Sequence, residues 1–474
     1  MPTSSWRCAW RSGRPQASSS ARPPTSSCRE GQLPAPEATA ASKPASFPFH
    51  RRLLALELPT GDTTSHDAQP LLLTLGLPTI GLAFAITILT TYGPSSLATL
   101  KHSSTAKIGA LFGGEGAFAL VIPLFAGFLS DRISGGTRFG RRMPFVMVGA
   151  PLAATGLVLL TLATNLQFAG VSILLFFVGY YLFYPPYRAI YADLLPKRLL
   201  PRAQSSQGIM RGVGTGLALV SGGFLYSIWK PLPFVLAAGM LGVATLPLRP
   251  VHRLSRRLPE PPRVERDTGN PVAELLVHNR PLQWFSVANA IWEYSFAGLK
   301  FAIVLYITTG LDRSHALAST VMTVVAVAYV IGAPLAGRLA ERFGIVRVME
   351  VSALVYGVLL CVAFFPRSIA PMLVLLPIGS IAGSILMTLP QALAFTLAPE
   401  TNQGAAAGIV DFSRGTGVVL GPVLVGAVIS AFSSTLSSTH GYAAMWPMIG
   451  VPILLTIPLL RMLRRAEARA RSAG

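Results

Sequence analysis

Charged side chains are scarce in this sequence. Only 12% of the 474 residues are Asp, Glu, Lys or Arg, whereas 51% are hydrophobic and the mean hydropathy is +0.54. A soluble domain usually carries about a quarter of its residues charged. The deficit excludes an ordinary soluble globular protein and indicates that lipid is the solvent for most of the chain.

Acidic residues are scarcer than basic ones. The chain has 19 Asp and Glu against 39 Lys and Arg, which gives a net charge of +20 and a pI near 10.6. In a soluble chain this excess would suggest nucleic acid as partner. Here the arginines stand in short loops between apolar runs, and no basic patch is interleaved with polar or aromatic readers. We therefore expect a lipid bilayer, and no nucleic acid, as the partner of these residues.

Cysteines and catalytic groupings are also few. The three cysteines, Cys8, Cys28 and Cys361, have spacings that exclude a disulfide framework and a metal site. The sequence contains no nucleophile–base set, phosphate loop, metal cluster or Walker-type G-x-x-x-x-G-K-[ST] motif. It therefore predicts no enzyme, no cofactor or metal, and no ATP-driven pump.

Residues 1–70 are rich in Ser, Pro, Ala and Arg, with no acidic residue before Glu30. No apolar core of signal-peptide type follows the early arginines. The composition fits a disordered tail, an organelle-targeting presequence, or upstream sequence read from a wrongly chosen start. These alternatives stay open, and the segment does not enter the fold prediction.

From residue 71 onward, apolar stretches long enough to cross ~30 Å of hydrocarbon recur with short breaks. They are found at 71–92, 108–129, 143–163, 169–190, 206–228, 232–249, 283–308, 315–337, 345–366, 371–395, 405–430 and 442–462. The largest interruption is polar and arginine-rich and separates six spans from six. We predict an all-α integral membrane protein with a six-helix half at 71–249, a cytoplasmic linker at 250–282, a second half at 283–463 and a basic tail at 464–474.

The loop charges predict the orientation. With the N-terminus inside, the cytoplasmic loops carry fifteen Lys and Arg, and the opposite loops carry Lys101, Lys107, Lys230, Arg313 and Arg367. The positive-inside rule then places both termini in the cytoplasm. We expect a multi-pass protein of the plasma or cell inner membrane, most simply a monomer.

Two sequence matches relate the halves. The segment AGFLSDR at 126–132 aligns with AGRLAER at 336–342, a shift of 210, and RGVG at 211–214 aligns with RGTG at 414–417, a shift of 203. Matches in the same order at near-equal shifts indicate a parallel six-helix duplication. A binding cavity is then expected between the halves near the bilayer midplane.

A twelve-span chain with a G-x-L-x-D-R-like turn after span two, repeated after span eight, resembles the major facilitator superfamily. Within it, SDRISGGTRFGRRMPF at 130–145 and RAIYADL at 188–194 are similar to the signatures of sucrose and glycoside–proton symporters. Met143 departs from that branch, which has a third arginine there, and pigment-assembly proteins of the superfamily carry a related turn. The resemblance implies the major facilitator fold, with twelve transmembrane helices in two pseudo-symmetric halves.

Charged residues at the inner rim are candidates for a cytoplasmic latch. A carboxylate between arginines there would hold helices together in one state and release them in the other; the alternative is that the arginines only anchor the topology at anionic lipid. The candidates are Gly127, Asp131, Arg132, Arg141, Arg142 and Asp193, with Glu341 and Arg342 as the counterpart in the second half.

Ionisable residues inside spans are functional candidates because each costs about 2.5–3.5 kcal/mol on insertion scales. Glu293, near mid-depth in span seven, and Glu115, in span two, are the proton-coupling candidates, since a low-dielectric cavity favours a protonated carboxylate. Trp292, Tyr294 and Lys300 are the neighbouring cavity candidates. A structural Glu293–Lys300 pair, and an inter-helix hydrogen bond by Glu115, are the alternatives.

Three arginines lie deeper in the chain's spans. The resemblance implies that Arg188, near the inner end of span four, contacts substrate or its coupled carboxylate; it could instead anchor Asp193. Arg211 and Arg414 are duplicated, and Asp411 shares the face of Arg414 and could neutralise it. We expect these last three to act in gating and packing.

The sequence thus predicts a secondary transporter that moves a small organic solute by alternating access, with proton-coupled sugar or glycoside symport as the leading subtype. One alternative is an exporter of amphipathic compounds, which would have a cavity dominated by aromatic and apolar residues. Another is a membrane assembly or pigment-delivery protein on the same fold.

Overall fold

The computed structural model describes residues 69–101, 103–132, 142–195, 200–248, 251, 275–277, 279–366, 368–398 and 403–473. Within these ranges the chain is helical and contains no strand. The helices of the first half are α1 (Gln69–Ala98), α2 (Thr105–Arg132), α3 (Met143–Thr161), α4 (Leu166–Leu194), α5 (Leu200–Ile228) and α6 (Leu232–Thr245). Those of the second half are α7 (Arg280–Leu305, then a π turn at Tyr306–Gly310), α8 (His315–Phe343), α9 (Ile345–Val362), α10 (Ile369–Thr388, then Pro390–Leu397), α11 (Gln403–Ala431) and α12 (Met445–Leu455, then Ile457–Ala473).

Eleven of these helices are long and apolar enough to cross a membrane in the described ranges, with mean hydropathies from 1.2 to 2.1. The helix in the sixth position is shorter: Leu232–Thr245 has 14 residues. At 1.5 Å per residue it covers about 21 Å, less than the hydrocarbon thickness. The sixth predicted span, 232–249, is therefore an apolar helix that ends earlier than the sequence indicated. The other predicted spans each contain a long helix.

Side-chain caps start several helices where the apolar runs begin. The side chains of Asn165, Asn279 and Ser314 accept hydrogen bonds from the backbone N–H groups three residues on, at 2.8, 3.1 and 3.2 Å. Such caps satisfy amide groups that a helix start leaves unpaired. Gly344, with φ of +85°, ends α8 and allows the chain to turn at once into α9. The repeated segment at 336–342 is thus the last part of α8, just before a tight turn at Gly344.

The two halves meet through α2 against α11 and through α5 against α8, with a smaller contact between α1 and α7. The hydrogen bonds that join the halves in the described residues lie at the end where α1 ends and α2 begins, which we call the closed end. There the Tyr92 hydroxyl bonds the Ser319 hydroxyl at 2.9 Å, Gly223 N–H donates to Ser319 Oγ at 2.6 Å, and Ala106 N–H donates to Ser430 Oγ at 2.9 Å.

The halves diverge toward the opposite end, which we call the open end. Gly212, Gly216 and Gly223 lie on one face of α5, because they are spaced by four and seven residues. A Cβ on Gly223 would overlap the backbone of His315, whereas a Cβ on Gly212 or Gly216 would meet no described atom within 4 Å. Helices α5 and α8 therefore touch at the closed end and separate within about 11 Å along the axis.

The remaining predicted segments are only partly described. Of the tail at 1–70, only Gln69 and Pro70 fall within the described residues, and most of the linker at 250–282 lies outside them. The helix after the linker begins at Arg280, three residues before the predicted start of the second half. The predicted basic tail at 464–474 continues α12 as a helix to Ala473.

Candidate functional site

Ionisable side chains from both halves gather near mid-depth between the halves. Helices α2, α4 and α5 of the first half and α7 and α11 of the second supply these side chains, which lie within electrostatic range of one another or of shared tyrosines. The set is Glu115, Arg188, Arg211, Glu293, Lys300, Asp411 and Arg414. Glu293 is thirteen residues into α7, about 20 Å from its start, so the group is close to the middle of the predicted membrane. We call this set the mid-depth cluster.

Glu293 and Arg414 form an ion pair within the second half. The Nε atom of Arg414 lies 3.6 Å from Oε1 of Glu293, and their side chains are 54% and 15% exposed. Gly417 makes this approach possible, because its missing Cβ would lie 2.7 Å from the Cβ of Glu293. The sequence placed Asp411 as the neutralising group for Arg414; Asp411 is exposed and within electrostatic range, but Glu293 is the carboxylate in contact.

Glu115 in the first half and Lys300 in the second half lie within electrostatic range of one another. Lys300 is the strongest opposite charge acting on Glu115, and Glu115 is the strongest acting on Lys300. Both side chains are half-buried, and neither has an ion-pair partner within 4 Å among the described residues. The sequence suggested Lys300 as a partner for Glu293, but in the fold Arg414 takes that place.

Tyrosines on α4 line the first-half side of the cluster. The rings of Tyr180 and Tyr184 stack with centroids 5.7 Å apart, as their spacing of four residues allows. The guanidinium carbons of Arg188 and Arg211 lie 5.6 and 5.3 Å from the centroid of the same Tyr184 ring. These tyrosines were not among the residues predicted from the sequence, although the run YYLFYPPY at 180–187 is unusually rich in aromatic residues for a membrane span.

Two predicted cavity residues face away from the cluster. Trp292 is fully buried and its indole N–H donates to the Thr456 hydroxyl at 3.1 Å, while the Tyr294 hydroxyl donates to the backbone oxygen of Met448 at 3.1 Å. Both contacts are with α12, inside the second half. Their neighbour Glu293 lies on another face of α7, because successive residues of a helix point about 100° apart.

The latch candidates are described unevenly. The side chains of Asp131, Arg132 and Asp193, and all of Arg141, lie outside the described residues, and Gly127 is described only as part of α2. Glu341 and Arg342 are exposed at the end of α8, where the Arg342 guanidinium lies 5.2 Å from the ring centroid of Phe343. Arg142 is half-buried just before α3.

One acidic residue that was not predicted as a site residue forms ion pairs between helices of the second half. Glu350, in the second turn of α9, accepts from Nε of Arg461 at 2.8 Å and lies 2.8 Å from a terminal nitrogen of Arg464. These bonds tie α9 to the second segment of α12. Acidic residues are so rare within the apolar spans that Glu350 alone was a signal for such a partner.

Comparison with known proteins decides the family. The model of the Major Facilitator Superfamily matches residues 74–312 and 285–474. The chain belongs to this superfamily. It therefore has the fold of a multi-pass secondary transporter. No curated protein matches the sequence.

Solved structures show the same fold. A bacterial homolog of the human lysosomal transporter Spinster, in an inward-facing and occupied conformation, has a TM-score of 0.69 and 17% identity, with 85% of this chain and 98% of that chain covered. The nucleoside transporter NupG has a TM-score of 0.64 and 15% identity, covering 83% and 98%. A POT family transporter in complex with a thioalcohol-conjugated peptide has a TM-score of 0.66 and 12% identity, covering 83% and 96%.

Proposed function

We propose that this protein is a proton-coupled carrier that moves a small polar organic solute by alternating access, with a sugar or glycoside as the solute class. The mid-depth ion pair between Glu293 and Arg414 is the observation that carries the proposal. An ionisable pair inside a membrane span is costly to insert and is typical of substrate or proton pathways.

Protonation of Glu293 supplies a coupling step. Two unit charges about 4 Å apart attract by about 4 kcal/mol at an effective dielectric of about 20, and solvent screening at the 54% exposed Arg414 side chain lowers this value. Adding a proton to the carboxylate removes this attraction and frees Arg414. A shift of a two-state equilibrium from 1:99 to 99:1 needs a bias of about 5.5 kcal/mol. The free energy lost from the ion pair when Glu293 is protonated supplies part of this bias.

The open end supports an alternating-access cycle. The described bonds between the halves lie at the closed end, where they involve hydroxyl and backbone groups and no ion pair. Such contacts break without leaving a buried charge. If the positive-inside rule holds, the open end faces the cytoplasm and both termini lie there. The similar Spinster homolog structure is also inward-facing.

The composition of the cluster favours a polar solute. An exporter of amphipathic compounds would have a cavity of aromatic and apolar residues, whereas here seven ionisable side chains gather near mid-depth. The sugar class comes from the resemblance of the segments at 130–145 and 188–194 to glycoside symporters. The stacked rings of Tyr180 and Tyr184 offer flat faces on which a sugar ring would rest.

Uptake by proteoliposomes tests the proposal. With an inward proton gradient we expect accumulation of a labelled member of a sugar and glycoside panel. Glu293→Gln should abolish accumulation while leaving exchange of labelled for unlabelled solute. Asp312→Asn is the matched control, because Asp312 is an exposed loop carboxylate with φ of 51°, a conformation that asparagine tolerates.

Two outcomes contradict the proposal. Gradient-driven accumulation by Glu293→Gln at the wild-type level would remove Glu293 from the coupling step. Failure of uptake across the whole panel would remove the sugar assignment and favour the exporter or assembly alternatives.

A further inference from the structure

The duplicated arginines Arg211 and Arg414 differ in their partners. In the second half, a Cβ on Gly417 would overlap the backbone oxygen of Ala290 and lie 2.7 Å from the Cβ of Glu293. In the first half, a Cβ on Gly214 would overlap the backbone oxygen of Ile80 and lie 3.0 Å from the Cβ of Ala83.

These contacts are copies of one another. Ala290 and Glu293 each stand 210 positions after Ile80 and Ala83, and Gly417 stands 203 positions after Gly214, the same shifts that relate the two halves in sequence. Ala83 therefore occupies the place that corresponds to Glu293. The position that carries the carboxylate partner of Arg414 in the second half carries only a methyl group in the first half.

Arg211 has no carboxylate in contact among the described residues. Its guanidinium lies 5.3 Å from the centre of the Tyr184 ring, and its electrostatic neighbours are Tyr180, Arg414, Asp411 and Tyr329. Asp411 is the acidic member of this set and is not within ion-pair distance.

Arg188 adds a second positive charge at the same place. Its guanidinium lies 5.6 Å from the centre of the Tyr184 ring. Two positive charges therefore lie against the same tyrosine ring. Arg188 is exposed and Arg211 is half-buried, so neither guanidinium is fully enclosed by the protein. Each guanidinium presents a planar fork of N–H donors that fits a carboxylate or phosphate.

We propose that Arg211 and Arg188, held by Tyr184, bind an anionic group of the transported solute, a carboxylate or a phosphate, in the place that Glu293 occupies beside Arg414. The inference deepens the proposed function by naming the charge of the solute. With a sugar as solute, it points to a sugar acid, a glucuronide or a sugar phosphate. Charged groups within membrane spans pair with one another or mark a substrate pathway, and among the described side chains neither Arg211 nor Arg188 has an ion-pair partner.

Ligand-induced stabilisation in detergent tests the inference without a proton gradient, so it does not depend on whether transport is proton-coupled. The probes are matched: methyl glucoside against methyl glucuronide, glucose against glucose 6-phosphate, and acetate and inorganic phosphate as minimal anions at constant ionic strength. For the wild type we expect the anionic member of each pair to raise Tm more than the neutral one. Comparison of carboxylates with phosphates identifies which anion is preferred.

Two variants assign the effect to Arg211. A hydrogen bond to a charged group contributes about 1.5–3 kcal/mol, so Arg211→Gln should weaken binding of the anion about tenfold or more. Arg211→Lys should restore part of it. Ala83→Glu keeps Arg211 but gives it the carboxylate that Arg414 has, and should also remove the preference for anions.

The inference is overturned by any of three results. The first is equal stabilisation by anionic and neutral members, or none by any anion. The second is an anion effect that Arg211→Gln leaves unchanged in a folded protein. The third is stabilisation by a short-chain anionic phospholipid alone, which would make the site a lipid contact.

Discussion

The two halves of the molecule have the same scaffold and different charges. Gly214 and Gly417 seat their helices against equivalent backbone oxygens, and Gly223 and Gly426 make equivalent contacts with His315 and Thr105 across the closed end. Each of these pairs keeps the shifts of 203 and 210 residues. The duplicated positions that hold backbones together have thus kept their residue type.

The charged positions have diverged. Arg414 contacts Glu293 at 3.6 Å, whereas the position equivalent to Glu293 in the first half is Ala83 and Arg211 lies over the ring of Tyr184. Small residues are retained where any side chain would overlap a backbone, and charges are free to change where the cavity leaves room. The comparison separates the glycines that hold the helices together from the charged residues to which we assign solute binding and proton coupling as proposals.

The closed-end glycines should show the largest effect. We expect Gly223→Val and Gly426→Val each to reduce transport more than about tenfold, because a valine would overlap the backbone of His315 or Thr105 and the closed end could not form. An overlap that costs more than about 1.4 kcal/mol suffices for this. Uptake measures the loss. Ser95 lines a pocket at the closed end together with Thr105 and Tyr442, so labelling of Ser95→Cys measures the opening of that end.

Gly216→Val is the matched control for Gly223→Val. It lies on the same face of α5 but meets no described atom within 4 Å. Equal loss of transport in both variants would show that the effect comes from α5 itself and not from the contact between the halves.

Substitution of Gly214 and of its counterpart Gly417 should lower the stability of the protein by the same amount. Gly214→Ala and Gly417→Ala each place a methyl group against a backbone oxygen, so we expect each to destabilise the protein by about 1–3 kcal/mol. Thermal unfolding in detergent gives the comparison. Gly208→Ala and Gly212→Ala, which face open space, should instead stabilise slightly, because alanine is favoured over glycine in a helix by about 1 kcal/mol. A loss confined to one half would contradict the equivalence.

Removal of the charges around Arg414 and Arg211 should have unequal effects in the two halves, and none larger than those of the glycine substitutions. Removing one member of a fully buried ion pair costs about 3–5 kcal/mol and of an exposed one about 0–1. Arg414 is 54% exposed, so Glu293→Ala should cost about 1–3 kcal/mol. Arg211→Ala should cost less or stabilise, because it removes a charge that has no ion-pair partner among the described side chains. Thermal unfolding of both, and of the Glu293→Ala/Arg414→Ala double variant, tests this; equal losses would mean that Arg211 has a partner as strong as Glu293.

The sequence predicted the helices well because lipid imposes a simple rule. A span needs about 20 apolar residues, and eleven of the twelve predicted spans contain such a helix. The sixth differed because hydropathy in a short window does not show where a helix ends. The superfamily followed from the turn at 126–132 and its repeat, and the family match confirmed it.

The partners within the cluster were harder to predict. Spacing along α7 relates Glu293 to Lys300, but the carboxylate contacts Arg414 on another helix more than a hundred residues away. Trp292 and Tyr294 were grouped with Glu293 by adjacency, whereas a helix turns its neighbours to different faces and places these two against α12. Tyr184 had no charge to mark it and is identified only by the two arginines over its ring.

The sequence by itself determined the membrane-spanning class, the duplication and the family, because hydropathy and repeated motifs are local properties of the chain. Only the tertiary structure decided which arginine has a carboxylate beside it. That pairing depends on which faces of distant helices meet, and it is set by glycines that let α11 approach α7 and α5 approach α1. The same approach brings Glu293 to Arg414 and places Ala83 at the equivalent position beside Gly214.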